Sequence, residues 1–193
     1  MLGKWAGSEI NRYKPSKRPW QWMGSRDIFR QYQKTNQPVR YAHCYTFALL
    51  LTTMCRALGI PARPVTIYHA GLDTDKNLYV DKYSVDNILI EDYSGDRIWD
   101  FHVWTEMFFE RPDLLSEGEG SSLYDGWQVF DPMQKDECND IVGPVPVYAI
   151  KEGHTNISND ALAAYAQVNG DISMNEWDKV SQSFVHDSKI KNM

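Results

Sequence analysis

The sequence lacks several features that would place it in a special class of protein. No stretch reaches the roughly 18 consecutive apolar residues of a transmembrane helix, so we expect no membrane span. The N-terminal residues contain no apolar signal core. The 193 residues carry a formal net charge of −6 and no basic excess, which argues against nucleic acid as a main partner. These absences leave the compartment open between the cytoplasm and the extracellular space.

Cysteine is scarce, with three residues at wide spacing. Three such cysteines make no disulfide framework, and the absence of a C-x-x-C pair argues against a zinc site. A single cysteine acts either as a small buried hydrophobe or as a nucleophile, and the first role is the commoner one. The neighbours of each cysteine in the sequence must therefore decide between the two roles.

Local patterns predict one long buried helix followed by a run of strands. Apolar residues recur at three and four positions over 44–58, and Gly59 and Pro61 stop the helix. A shorter helix is predicted over 25–34, while 161–171 fits a helix or a strand. The absence of strand–helix–strand alternation favours an α+β fold over a doubly wound sheet. Strands are predicted over 62–70, 78–83, 87–92, 98–109 and 127–132.

Cys44 lies at the start of the buried helix. The unpaired N–H groups and the positive end of the helix dipole favour a thiolate at such a position. Cys55 lies in the middle of the apolar stripe and fits a packing role better. If Cys44 is a nucleophile, it needs a base, and that base needs a group to orient it.

His102 is the best candidate base among the five histidines. It lies in the middle of an aromatic-rich predicted strand, where a histidine needs a polar partner. A core histidine bonded to a backbone carbonyl explains this pattern as well. Asp131 ends the next strong strand, directly before Pro132. It is either a turn former or the third member of a Cys–His–Asp set.

Several blocks of the sequence occur in a characteristic order: WMGSRDI, VRYAHCYTFA with CRALGIPARPVT, HAGLDTDKNLYVD, IWDFHVWTEMFFERPDL, YDGWQVFDP, GPVPVYAIKEG and YAQVNGD. Together they resemble the catalytic core of the eukaryotic, animal-type transglutaminase family. The resemblance implies a papain-like cysteine-enzyme core, in which a buried helix carries the nucleophile and packs on an antiparallel sheet or barrel. We expect this core over 1–178 and a polar tail, prone to disorder, over 179–193. The flanking β-sandwich and β-barrel domains of the family are expected to be absent from this chain.

The resemblance also implies a reaction and the residues that perform it. Cys44 would be the nucleophile, His102 the base and acid, and Asp131 the group that orients His102. The reaction would transfer the acyl group of a protein glutamine, through a Cys44 thioester, to a lysine amine or a polyamine. The partners would be proteins with accessible glutamine and lysine, and polyamines. Trp5 would help to form the oxyanion hole, and Trp99 would line the tunnel for the acceptor amine.

Calcium is the cofactor that the resemblance implies. On pattern alone, the D-T-D-K-N loop is either a solvated acidic turn or a cation site, and it does not match the spacing of an EF-hand. The family uses this loop, a nearby backbone carbonyl and an acidic residue upstream of the catalytic histidine, and it has an asparagine in another calcium site. The corresponding residues here are Asp73, Asp75, Asn77, Tyr79, Asp96 and Asn169.

Two alternatives to a transferase remain at this point. The first is a thiol-dependent glutamine deamidase or hydrolase, which keeps the triad but prefers water. The second is a catalytically weak structural or coagulation scaffold. Trp5 and Trp99 favour amine transfer over hydrolysis. His43 and Tyr45 stand where the family has glutamine and tryptophan, so a titratable group lies beside Cys44.

Overall fold

The computed structural model describes residues 1–3, 16–90, 93–115, 121–133 and 142–190. These ranges contain ten strands and four α-helices. Their order along the chain is β1 Leu2–Gly3, α1 Ser25–Thr35, β2 Arg40–Ala42, α2 Cys44–Ala57, β3 Ala62–Leu72, β4 Tyr79–Val85, β5 Ile88–Ile90, β6 Arg97–Phe109, β7 Gly126–Asp131, β8 Val142–Pro146, α3 Val147–Glu152, α4 Asn159–Asn169, β9 Asp171–Asp178 and β10 Ser183–Ile190. None of the helices in the described residues has both the length and the apolar surface that a membrane span needs.

The chain divides into two compact units. Unit 1 consists of Met1–Thr66 and Val103–Val147, and unit 2 consists of Ile67–His102 and Tyr148–Met193. The stretch 1–178, which we expected to form one catalytic core, therefore contributes to both units.

In unit 1, α2 packs against β6, which belongs to a four-stranded sheet in the order β3-β6-β7-β8. β7 pairs antiparallel with both β6 and β8. Thr105 and Met107 lie two residues apart on β6 and therefore share one face of the strand. The Thr105 hydroxyl donates to the Ala48 carbonyl at 2.8 Å, and the Cys55 thiol lies 3.5 Å from the Met107 sulfur. The predicted arrangement of a buried helix on antiparallel strands is confirmed.

Cys55 belongs to the core of this unit. It clusters with Ala62 and Met107, and Leu51 and Phe130 pack around them. Burial raises the pKa of the Cys55 thiol, so the thiol stays protonated and unreactive. The packing role predicted for Cys55 is confirmed.

Unit 2 contains a mixed sheet in the order β10-β9-β4-β5. β4 and β9 run parallel, whereas β9 with β10 and β4 with β5 run antiparallel. The stretch 161–171, left open between helix and strand, is helical from Asn159 to Asn169. The Ser158 hydroxyl accepts the Ala161 N–H at 3.0 Å and caps this helix.

Two segments are more ordered than the sequence predicted. The sequence pattern over 143–153 predicts a loop that leads to a short element, but these residues form the end of β8 and then α3. β8 is an edge strand, where prolines are tolerated. In the tail expected to be prone to disorder, residues Ser183–Ile190 form β10. The Phe184 ring lies 5.0 Å from the Trp177 ring and 4.9 Å from the Tyr83 ring, and these contacts hold the strand on the sheet.

Arg111 closes a buried polar network between β7 and β8. Its Nη1 donates to the Gln128 side-chain oxygen at 3.0 Å and to the Pro144 carbonyl at 3.1 Å. We expect Arg111→Met to lower the free energy of unfolding by about 2–4 kcal/mol, because the buried Gln128 oxygen and the part-buried Pro144 carbonyl lose their charged donor. Urea denaturation followed by tryptophan fluorescence measures this loss.

Asp113 supplies the control for this prediction. Its hydrogen bond with the Arg111 guanidinium holds the pKa of Asp113 below its usual range, but its side chain is 59% exposed. Asp113→Asn should therefore cost less than about 1 kcal/mol. That small contribution is present above the ordinary aspartate pKa and is lost as the pH falls through the lowered one. Equal losses in the two variants would contradict the role of the Gln128 and Pro144 contacts.

Candidate active site and calcium loop

Cys44 is the first residue of α2, as predicted. His43 precedes it in an extended conformation, and the His43 carbonyl accepts the N–H groups of Thr46 and Phe47 at 3.0 and 3.2 Å. Cys44 is half-buried, in contrast to the buried Cys55. Cys44 therefore lies in the first turn of α2, where backbone N–H groups have no partner within the helix.

Two aromatic rings lie close to His43, the residue before Cys44. The His43 ring lies 6.2 Å from the Trp20 ring and 5.9 Å from the Tyr45 ring, between ring centroids. Trp20 belongs to a short 3-10 turn, Pro19–Gln21. The sequence singled out His43 and Tyr45 but missed Trp20, because nothing local in the sequence links residue 20 to residue 43.

His102 and Asp131 are both almost completely buried. His102 lies in β6 and Asp131 is the last residue of β7, and each is 1% exposed. β6 and β7 are neighbouring strands of one sheet. The Trp99 ring lies 4.8 Å from the His102 ring at an interplanar angle of 34°. Asp131 accepts the Met133 N–H at 3.1 Å. Buried ionisable groups of this kind require polar partners, which is a property of functional sites as well as of structural ones.

Three carboxylates of unit 2 lie close together, two from the loop before β4 and one from the residue before β6. Ligand oxygens of Asp73, Asp75 and Asp96 all lie within 4.8 Å of one another. Asp73 organises the loop, because its two oxygens accept the N–H groups of Lys76 at 2.6 Å and Leu78 at 2.7 Å. Asp73 and Asp75 of the D-T-D-K-N segment therefore form one cluster with the distant Asp96.

Asp96 anchors this cluster to the sheet. It is 2% exposed, and one of its oxygens accepts both the N–H of Thr74 at 2.9 Å and the Thr74 hydroxyl at 2.6 Å. Its other oxygen accepts the N–H of Asp81 at 2.9 Å. Asp96 also directly precedes β6, which begins at Arg97. The position of this carboxylate is thus set by backbone groups of the loop and of β4.

The electrostatics of the cluster suit a cation. The pKa of Asp75 is raised, first by partial burial, then by the hydrogen bond and negative charge of Asp73, and by the charge of Asp96. Calcium prefers oxygen ligands at about 2.3–2.6 Å, so two ligands on opposite sides of one ion stand about 5 Å apart. The 4.8 Å spread of three carboxylate oxygens fits such an ion.

Comparison with known sequences decides the family. Residues 12–132 match the family model described as the transglutaminase-like superfamily. The chain belongs to this family. Annulin of Schistocerca americana is 42% identical over 175 residues, which cover 89% of this chain and 22% of annulin. Protein-glutamine gamma-glutamyltransferase 2 of Gallus gallus is 38% identical over 175 residues, which cover 89% of this chain and 24% of that protein.

The fold agrees with this assignment to the transglutaminase-like superfamily. The crystal structure of red sea bream transglutaminase matches with a TM-score of 0.79 and 34% sequence identity, over 96% of this chain and 27% of that chain. The predicted α+β, papain-like transglutaminase core is therefore confirmed. The chain spans between 22% and 27% of the length of these three relatives.

Asp81, which the sequence analysis did not single out, bonds to the D-T-D-K-N loop. Asn77 donates from its amide nitrogen to Asp75 and to Asp81, each at 3.0 Å. The other oxygen of Asp81 accepts the Asn175 amide at 3.2 Å. Asp81 thereby links the loop to β9. The continuation of D-T-D-K-N to a further aspartate, in D-T-D-K-N-L-Y-V-D, is the signal that could have indicated it.

The remaining predicted residues have different outcomes. The Tyr79 N–H donates to the Asn77 side-chain oxygen at 2.7 Å, so Tyr79, the first residue of β4, is bonded to the loop. Its role as a backbone ligand stays a prediction. Asn169 ends α4, and its amide donates to the Ile150 carbonyl at 3.5 Å, a contact that connects two helices. The metal-binding role of Asn169 stays a prediction. Trp5 lies outside the described residues, so its role in an oxyanion hole stays a prediction too.

Proposed function

We propose that this chain is the catalytic core of a calcium-dependent protein-glutamine γ-glutamyltransferase, which forms isopeptide bonds between protein glutamine and lysine. Membership of the transglutaminase-like superfamily supports the reaction class. One observation carries the choice of nucleophile. Cys44 is half-buried at the first position of α2, whereas Cys55 is buried in the core with its thiol held protonated.

The first half-reaction forms a thioester. The Cys44 thiolate attacks the side-chain carboxamide carbon of a protein glutamine, and a carbon–sulfur bond forms. The Cys44 N–H and the Trp5 indole N–H are the proposed donors to the oxyanion of the tetrahedral intermediate. His102 then gives a proton to the leaving nitrogen as the carbon–nitrogen bond breaks, and ammonia departs. Asp131 is proposed to orient the His102 ring and to stabilise its charged form.

The second half-reaction transfers the acyl group. A lysine amine or a polyamine attacks the thioester carbon, and His102 takes a proton from that amine as the new amide bond forms. The carbon–sulfur bond then breaks and Cys44 returns as a thiolate. Water can attack in place of the amine, which gives deamidation. The Trp99 ring, stacked 4.8 Å from His102, is proposed to shield the thioester from water.

Calcium is proposed to bind at Asp73, Asp75 and Asp96, with Asn77 and the Tyr79 carbonyl as further oxygen donors. A bound calcium ion supplies positive charge that offsets the repulsion between these carboxylates. Asp96 directly precedes β6, and β6 carries His102. An ordered Asp96 would therefore fix the position of the first residues of β6, the strand on which the proposed base lies.

Incorporation of a fluorescent primary amine into casein tests this function. We expect labelling in calcium and little labelling in chelator, because the charge of the carboxylate cluster is then uncompensated. Ammonia release measured in the same samples separates transfer from hydrolysis. Ammonia release without amine labelling would favour the deamidase, since water would then be the acceptor. Neither signal from a chain with a cooperative unfolding transition would contradict enzymatic activity of this core and favour a scaffold.

A further inference from the structure

Residues 17–43 carry a net positive charge, although the whole chain is negatively charged. The whole chain has a formal net charge of −6, but this segment contains six lysines and arginines and one acidic residue, Asp27. The segment ends directly before Cys44. The six cations are Lys17, Arg18, Arg26, Arg30, Lys34 and Arg40.

The fold brings three of these cations to the chain that enters α2. The Tyr41 N–H donates to the Lys17 carbonyl at 3.0 Å, so the backbone at residue 17 lies against β2, which begins at Arg40. The Trp22 indole donates to the Tyr41 carbonyl at 2.8 Å and holds the intervening 3-10 turn on the same strand. Arg18 directly precedes that turn. Arg40 therefore lies in β2, and Lys17 and Arg18 lie next to that strand. β2 ends two residues before Cys44.

Two of the three cationic groups lie close to aromatic rings. The Arg18 guanidinium lies 6.0 Å from the centre of the Trp20 ring, and the Lys17 ammonium lies 4.6 Å from that of Trp22. The Trp20 ring also contacts His43, the residue before the nucleophile, and remains 47% exposed. Among the described residues, no carboxylate forms a salt bridge with Lys17, Arg18 or Arg40. Their charges are available to an anionic ligand.

We propose that Lys17, Arg18, Trp20 and Arg40, here called the basic rim, bind acidic residues that flank the reactive glutamine of a protein substrate. This inference rests on the proposed function and adds a substrate class to it. Arginine binds carboxylates through paired hydrogen bonds, and an exposed indole stacks on a peptide. An extended peptide advances about 3.3 Å per residue. With its glutamine at Cys44, such a peptide presents acidic residues two to four positions away to the rim.

Two glutamine peptides that differ only in their flanks test the rim. One carries glutamates at two positions on each side of the glutamine, and the other carries serines there. We expect roughly five- to tenfold higher kcat/KM for the acidic peptide at low ionic strength, expressed in KM and not in kcat. The preference should fall to within about twofold in 0.5 M salt, since salt screens exposed charges.

Charge reversal makes the test independent of how much protein folds. The double variant Arg18→Glu and Arg40→Glu should prefer an arginine-flanked peptide over the acidic one, because two charges of its rim are reversed. The ratio of the two rates is measured on a single sample, so it does not depend on the fraction of protein that folds. Lys151→Gln removes an exposed cation on α3, outside the rim, and should keep the original preference. A preference that is absent in the wild-type chain, unchanged in the double variant, or lost equally in Lys151→Gln would overturn the proposal.

A direct binding measurement tests the basic rim separately from the proposed function. Fluorescence anisotropy of the labelled acidic peptide measures binding even if no amine is incorporated. Weaker binding to the double variant than to wild type would support the rim although the transferase had failed. Equal binding to both would overturn the rim. Binding of heparin to the rim, with no discrimination between the peptides, would also overturn it in favour of a polysaccharide surface.

Discussion

Replacing Cys44 with alanine is expected to lower the rate of calcium-dependent amine incorporation by about 10,000-fold or more. The variant lacks the sulfur that is proposed to form the thioester, and the first turn of α2 contains no second thiol. Ammonia release should disappear together with labelling, because ammonia leaves as the proposed thioester forms and labelling consumes that thioester. A labelled amine and a coupled assay for ammonia measure the two outputs on one sample. Retained labelling would contradict the assignment of Cys44 as the nucleophile.

Cys55→Ala is the matched control for this prediction. Cys55 lies in the same helix, but it is buried against Ala62 and Met107. Its replacement should cost about 1–2 kcal/mol in the free energy of unfolding, since it leaves a small cavity in the core. Its specific activity, per folded molecule, should stay within about twofold of wild type. If the two variants lost activity equally, the effect would be one of stability and not of chemistry.

Asp75→Asn is expected to change the thermal stability in opposite directions with and without calcium. Without calcium, the variant should melt about 1–3 °C above wild type, because it removes the charge that Asp73 and Asp96 repel. With calcium at 100 times its dissociation constant, wild type should gain about 2.7 kcal/mol. An affinity weakened roughly 10- to 100-fold leaves the variant a gain of about 0.4–1.4 kcal/mol. Calorimetry in calcium and in chelator measures both effects.

The raised pKa of Asp75 also predicts how the stability of the calcium-free protein depends on pH. The pKa of Asp75 is raised in the folded state, so its ionisation opposes folding. The contribution of Asp75 to stability is most favourable below the ordinary aspartate pKa, and it is lost as the pH rises through the raised pKa of Asp75. The advantage of Asp75→Asn without calcium should therefore be present at neutral pH and vanish in acid. Asp86→Asn is the control, since Asp86 is exposed and paired with Lys179 at 2.6 Å. A calcium response reduced in both variants would contradict a specific role for Asp75.

The long elements were predictable because their signals are local. The apolar recurrence over 44–58 corresponds to α2, Cys44–Ala57, and the aromatic alternation over 98–109 corresponds to β6, Arg97–Phe109. In both, burial of one face produces a period that a short window of sequence displays. β8 was missed because its prolines oppose a strand, and only its place at the edge of the sheet allows them.

By itself, the sequence determined the family resemblance, the start of α2 at Cys44 and the acidic character of the 73–77 loop. The tertiary structure decided which distant groups meet. Asp96 bonds Thr74 across a separation of 22 residues, and Asn175 bonds Asp81 across 94. Likewise, Trp20 contacts His43, and Phe184 holds β10 in place. Such contacts follow from burial and backbone hydrogen bonding in the assembled sheets, and these depend on chain topology, which no local periodicity encodes.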